Sequence, residues 1–256
     1  MGKIISVVNQ KGGVGKTTTS VNLAASLAVA EKKVLLIDFD PQGNATSGLG
    51  IDKNESSGIY RAMMQEASAE TLLRDTPLKF LKVIPSSRDL IGAEVELIDE
   101  PEREFRLKGS LMGLKERFDF IIIDCPPSLQ LLTINALAAS DSVIIPLQCE
   151  YYALEGISEL VNTIDLIKAN LNPGLEIEGI LLTMYDARNN LARQVVDEVR
   201  AHFGDKAYNT LIPRNVKLSE SPSFGKPVVL YDIQSKGSQS YMELTKEFVA
   251  RQKKTD

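Results

Sequence analysis

The sequence predicts an α/β protein, a mostly parallel, twisted sheet with helices on both faces, and three observations lead there. Apolar, β-branched runs recur along the chain, patterns of helical period lie between several of them, and the first run gives way to a glycine-rich turn and then a helix. Strands that are apolar throughout belong in a sheet with both faces covered, and strands separated by helices pair in parallel. With 256 residues, 43% of them hydrophobic, and no break in composition, one domain spanning residues 1–256 is expected.

The first run, Ile4–Val8, leads into Gln10-Lys11-Gly12-Gly13-Val14-Gly15-Lys16-Thr17-Thr18, ahead of a helical pattern over Thr17–Ala30. A strand that ends in glycines and restarts as a helix aims backbone N–H groups and the positive helix end at one anion. Lys16 adds a point charge and Thr17 a hydroxyl suited to Mg²⁺, so the segment reads as a nucleotide-phosphate cradle for a nucleoside triphosphate. Counting back from Gly15, Gln10 replaces the first glycine of the G-x-x-x-x-G-K-[ST] pattern, and a second lysine, Lys11, stands beside it. A loop lysine is ordinarily a solvated charge. Inside the cradle a phosphate contact is favoured, in its own subunit or a neighbouring one.

The second run, Val34–Asp38, delivers two carboxylates, Asp38 and Asp40. Two apart on an extended segment, they share a face. One is suited to support Mg²⁺ and the other to reach an attacking water, and spacing alone does not say which. Residues 41–60, rich in Gly, Asn and Ser, read as a mobile loop, as do residues 213–227. The runs Leu81–Pro85, Phe120–Asp124, Ser142–Pro146 and Gly179–Thr183 continue the sheet, with helical patterns over Phe105–Arg117, Gly156–Asn170 and Asn190–Phe203. Asp124, led in by four apolar residues and followed by two prolines, is placed to hold Mg²⁺ through water. The glycine loop, Asp38 with Asp40, and Asp124 then all fall at the carboxyl edge of a parallel sheet.

Composition narrows the function classes. No apolar stretch approaches the ~20 residues needed to cross a bilayer, and the N-terminus enters a strand without a charged-then-apolar leader, so a soluble, cytoplasmic protein is expected. Cys125 and Cys149 close apolar runs and form no C-x-x-C pattern; buried thiols are expected. His202 has no cysteine or second histidine nearby and reads as structural. The net charge of −5 argues against a basic nucleic-acid coat, yet residues 181–256 hold 12 Lys and Arg against 9 Asp and Glu, so a cationic face in the C-terminal third is expected. In the tail, Tyr241, Leu244 and Phe248 recur at helical spacing, flanked by Glu243 and Glu247, which favours packing on the domain over membrane insertion.

Lys11-Gly12-Gly13-Val14-Gly15-Lys16-Thr17-Thr18 resembles the deviant Walker A motif of the ParA/MinD group of P-loop ATPases. Four later segments are similar to the chromosomal ParA (Soj) branch: residues 36–44 (LIDFDPQGN), 121–128 (IIIDCPPS), 148–156 (QCEYYALEG) and 212–220 (IPRNVKLSE). The resemblance runs in order from Met1 to about Phe248.

It implies a P-loop NTPase-like fold and a weak ATPase, stimulated by a partner, with ATP and Mg²⁺ as cofactors. By the same resemblance Gly12 to Thr18 and Lys16 hold the phosphates, Thr17 and Asp124 the metal, Asp40 positions the attacking water, and Asp38 is metal-side or structural. Lys11 is implied to cross the interface of an ATP-bound homodimer and touch the partner's phosphates. Pro213, with Ile212 and Arg214, lies beside an adenine base, and the guanine-reading N-K-x-D box is absent. Arg188 and Lys217 align with basic residues that bind DNA non-specifically, although Lys217 more often stands as Arg and so lacks the bidentate fork. The implied role is chromosome or plasmid partitioning on the nucleoid with a ParB-like partner and no membrane. A MinD-like membrane-associated ATPase and an electron-transfer ATPase are the rivals.

Overall fold

The computed structural model describes residues 2–53, 58–150 and 153–253. The six expected apolar runs form β1 (Lys3–Val7), β2 (Val34–Asp38), β4 (Leu81–Ile84), β5 (Phe120–Asp124), β6 (Ser142–Gln148) and β7 (Glu176–Thr183), and a two-residue edge strand, β3 (Arg74–Asp75), completes the sheet. Their order is β3-β4-β2-β5-β1-β6-β7, parallel throughout except for β3 against β4.

Within each strand alternate residues face opposite cores. Leu35, Ile37, Ile121 and Ile123 pack into one hydrophobic cluster, and Val34, Leu36, Ile122 and Ile144 into the other. This double burial is why β2 and β5, at the centre of the sheet, are apolar at every position before their closing Asp. One face is covered by α1 (Lys16–Val29) and the C-terminal α11 (Lys236–Gln252), which bring Leu23, Leu27, Leu244 and Phe248 against it. The opposite core takes residues from α3 (Gly58–Met63), α4 (Leu90–Glu96), α5 (Arg106–Leu111), α6 (Leu131–Ala139), α7 (Ala153–Asn170) and α8 (Asn190–Phe203). Tyr241, Leu244 and Phe248 of the tail are all buried. No helix among the described residues is long and apolar enough to cross a membrane.

Three expectations need correction. The expected mobile loop over residues 41–60, of which 54–57 lie outside the described residues, contains regular structure: Gly43, in the left-handed region at φ +61, opens a one-turn helix, α2 (Asn44–Gly48), and α3 begins at Gly58. Residues 213–227 contain α9 (Val216–Glu220), capped by the Asn215 side chain accepting from the Lys217 N–H, and a 3-10 turn over Ser221–Phe224. The expected helix over Phe105–Arg117 is only α5, preceded by a 3-10 turn at Arg103–Phe105; glycines at 109 and 113 weaken the helical state. The helix α6 has no counterpart in the sequence reading because Leu132, Ala136 and Leu137 and most of their neighbours are buried, leaving no polar face to mark a period. A last short helix, α10 (Val228–Tyr231), precedes α11.

Candidate functional site

Parallel pairing brings the ends of β1, β2 and β5 level. Asp38 stands opposite Asp124 across β2 and β5, and Val7 opposite Asp124 across β1 and β5. The glycine loop therefore leaves β1 beside both carboxylates.

The loop is held by side chains from elsewhere. Asn9 donates to the Pro146 carbonyl (2.8 Å) and accepts from the Lys11 N–H (2.9 Å), while Thr183, at the end of β7, donates to the Val14 carbonyl (2.8 Å). Gly13 (φ +75) and Gly15 (φ +89) take the left-handed backbone that glycine permits, and around Gly12 and Gly13 there is open space. Gly15 is the N-cap of α1 and supplies no side-chain cap, so the first N–H groups of α1 are left for an anion.

Lys16 is buried, with its Nζ donating to the Lys11 carbonyl at 3.2 Å. Burial lowers its pKa, against the neighbouring carboxylates of Asp124 and Asp40, which favour the ammonium. Asp124 is fully buried, and Ser20 Oγ donates to its Oδ1 at 2.8 Å. Its Oδ2 has no hydrogen-bond partner among the described residues. Burial, then the neighbouring Asp38 charge, pushes its carboxyl up to about 8. An orphaned carboxylate oxygen beside a partly exposed Thr17 and a buried lysine fits a hydrated cation, since a buried charge needs partners.

Asp38 is different. Its Oδ2 accepts from the Thr46 N–H and the Thr46 hydroxyl, each at 2.7 Å, and its Oδ1 from the Asp40 N–H at 3.3 Å. Burial still raises it to about 6, although the Thr46 bonds oppose the shift. Both of its oxygens tie down the 38–46 turn. Asp40 takes the Gln42 N–H on Oδ1 (2.9 Å), and its carbonyl accepts from Ser86 Oγ (2.7 Å), so its position is set while its other oxygen takes no hydrogen bond from a described residue.

Lys11 is exposed, and its Nζ lies 2.9 Å from Glu150 Oε2, with both side chains about half exposed. Tyr151 and Tyr152, next in that motif, lie outside the described residues. Pro213 and Arg214 border a cavity of about 280 Å³ next to the loop, lined also by Gly15, Thr18, Met184 and Leu218. Tyr185 bridges to Pro213, and the Arg214 N–H donates to the Tyr185 carbonyl (3.1 Å), so the segments bearing Arg188 and Lys217 run side by side. Each cation has a carboxylate of its own. Arg188 pairs with Asp186 at 2.7 Å and holds that carboxyl down at about 2, while Lys217 pairs with Glu220 at 3.0 Å and lies over the Tyr231 ring. Cys125 and Cys149 are buried free thiols.

Thr46, Thr183, Asn9 and Ser20 escaped the sequence reading. Ser20, four residues after Lys16 on one helix face, carried the only legible signal.

The family profile described as an AAA domain matches residues 2–177. The chromosome partitioning protein ParA of Myxococcus xanthus is 60% identical over 252 residues, covering 98% of this chain and 89% of the relative. The sporulation initiation inhibitor protein Soj of Bacillus subtilis is 58% identical over 251 residues, covering 98% and 99%. Among solved structures, the cobyrinic acid a,c-diamide synthase of Mycobacterium smegmatis with bound ADP and magnesium superposes with a TM-score of 0.88 at 34% identity, covering 100% of this chain and 97% of that one. With a P-loop NTPase-like sheet and identity of this extent over nearly its whole length, the chain belongs to the ParA/Soj family of chromosome-partitioning ATPases.

Proposed function

We propose that this chain is a Mg·ATP-dependent ATPase that dimerises on ATP, binds DNA without sequence preference in that state, and is released when a ParB-like partner accelerates hydrolysis. The observation that carries this reading is the buried Lys16 beside Asp124, whose Oδ2 is unpartnered, at the mouth of the α1 N-terminus. The N–H groups of Gly12 to Thr18 and the Lys16 ammonium hold the phosphates, and Thr17 with Asp124 holds the metal, Asp124 through water. Held there, Mg²⁺ would supply positive charge to offset the charge that develops on the phosphates. Asp40 orients the attacking water, and the Pro213–Arg214 edge of the 280 Å³ cavity takes adenine. Asp38, metal-side or structural on the sequence reading, takes the structural role and supports the turn that aims Asp40, a reading its hydrogen bonds to Thr46 and Asp40 favour.

Lys11 supplies a charge in trans to the partner subunit's phosphates. Its exposed pair with Glu150 stabilises by only ~0–1 kcal/mol and yields readily to a triphosphate. Arg188 and Lys217 contribute DNA phosphate contacts, doubled in the dimer, which allows an acidic chain to hold DNA on the nucleoid in the cytoplasm without a membrane anchor.

The test is Asp40→Ala. Turnover should fall by about 10²-fold or more while ATP-dependent dimerisation persists by sedimentation. Hydrolysis at the parental stimulated rate would reject Asp40 as the residue that positions water.

A further inference from the structure

Lys11 is fixed at its main chain and loosely held at its tip. Its N–H donates to Asn9 Oδ1 at 2.9 Å, and its carbonyl accepts from the buried Lys16 ammonium at 3.2 Å. Its own ammonium rests on Glu150, in a pair that is about half exposed on both sides. Gly12 and Gly13, the next two residues, have open space beside them, so the loop is braced from the Lys11 end.

Asn9 stands where the chain leaves the sheet. The Val8 N–H still donates to the Ile144 carbonyl of β6, at 3.1 Å. In a parallel ladder the next carbonyl along, that of Pro146, faces the N–H of Gln10. Here Asn9 Nδ2 donates to that carbonyl, at 2.8 Å, so a side chain extends the ladder while the backbone turns away. Asn9 thus spends its donor on the sheet and its acceptor on Lys11, and at 5% exposure it is shielded from water that would compete for both bonds. Beyond Gln148, β6 leads to Cys149, whose N–H donates to the Thr183 carbonyl of β7 at 3.3 Å, and then to Glu150. The peptide of Lys11 and the carboxylate that its ammonium meets are therefore referred to the same strand.

We propose that Asn9 is the positioning residue for Lys11: by tying the Lys11 peptide to β6, it sets the direction from which the lysine reaches a partner subunit's phosphates. The role rests on the reading of Lys11 as a charge supplied in trans. A contact made across an interface needs its root held still, because groups ordered only on association cost affinity and a displacement of about 1 Å costs about 100-fold. Its tip must also be free to leave. A main chain held at both N–H and carbonyl, beneath an ammonium resting on a solvated carboxylate, meets both needs.

The experiment compares Asn9→Ala, Asn9→Ser and Lys11→Ala in the full chain, reading ADP affinity by calorimetry and the ATP-dependent dimer by sedimentation across protein concentration. Asn9→Ala removes both bonds and should weaken the dimer at least about tenfold while ADP affinity stays within about twofold. Asn9→Ser retains an acceptor in reach of the Lys11 N–H, the weaker form of the same turn, and should recover part of the loss. Adding Asn9→Ala to Lys11→Ala should not weaken the residual dimer further, since two residues that act through one contact are not additive. A side chain that only braced the cradle would lower ADP affinity and dimerisation together, or add its loss to that of Lys11→Ala. Either result overturns the proposal, as does a full-strength dimer from Asn9→Ala. Melting temperatures check folding. If Asn9→Ala is unfolded at the assay temperature, Asn9→Ser decides: a dimer weaker than wild type with ADP affinity kept supports the role, and a wild-type dimer rejects it. Wild-type dimerisation by Lys11→Ala would instead reject the trans reading itself, whatever the Asn9 variants do.

Discussion

Asp38 and Asp124 face each other in register across β2 and β5, both fully buried, yet only one is satisfied. Thr46 donates twice to Asp38, whereas Asp124 keeps an oxygen without a partner. Two like charges this close raise each other's pKa, and each stays ionised only where donors or a cation offset burial. Asp38 thus has donors on both oxygens, whereas Asp124 retains a buried oxygen with none among the described residues.

Thr46→Val removes one donor from Asp38 while keeping the side-chain volume close. The expected loss at neutral pH is about 1–3 kcal/mol, read as a drop in urea midpoint. The sign with pH follows from a folded pKa already raised to about 6. A raised carboxyl favours the fold below the unfolded value and penalises it as pH rises through the folded one. Losing the Thr46 bond raises that pKa further, so the variant's deficit should grow from pH 5 to pH 8. A deficit independent of pH would mean that Thr46 acts through packing alone.

The two loop lysines should separate. Lys16→Ala removes a buried ammonium from the phosphate cradle and should abolish ATP binding by the monomer. Lys11→Ala removes an exposed side chain whose partner in this chain is Glu150, and should leave monomeric affinity nearly intact while preventing the dimer. Nucleotide affinity and dimer fraction, measured on the same samples, give the answer. Equal loss of affinity in both would place Lys11 in its own subunit's site.

Arg188→Glu with Lys217→Glu should eliminate DNA binding and leave ATP-dependent dimerisation unchanged. The wild-type affinity should fall steeply with salt, by about 0.9 of log–log slope for each phosphate neutralised, and scrambled duplexes should bind alike. Gel shifts across a salt series read both. A double variant that still binds would move the DNA surface elsewhere.

Glu178 joins β1, β6 and α11. It accepts from Lys3 (2.5 Å) and Ser142 (2.6 Å), and its other oxygen from Gln252 (2.7 Å). Burial pushes its carboxyl up, but the bonds from Lys3, Ser142 and Gln252 outweigh it and hold the pKa below its ordinary 4.5. A depressed carboxyl stabilises the fold above its unfolded pKa, and the contribution disappears as pH falls through the folded value. Glu178→Gln should thus cost about 1–3 kcal/mol at pH 7 and much less near pH 3. Parallel urea melts at the two pH values test it.

What the sequence determined by itself is local. The glycine loop after β1, the carboxylates at the ends of β2 and β5 and the parallel strands are legible because an apolar run, a positive-φ glycine and a helix start each follow from neighbouring residues. The helical period of Tyr241, Leu244 and Phe248 likewise foretold a packed tail. Tertiary structure decided the rest. Thr46 could not be seen to satisfy Asp38, and the stretch around α2 looked like a loop, because the buried carboxylate that Thr46 binds is visible only once β2 lies inside the sheet. Thr183 reaches Val14 across 169 positions of chain, and Lys11 reaches Glu150 across 139, distances over which local patterns carry no information. The same folding leaves Ile91, Val95 and Ile98 outside, since Leu90 and Ala93 of α4 and Leu97 just after it fill the core. Which of two apolar faces is buried depends on the elements already packed there, and no stretch of residues specifies that alone.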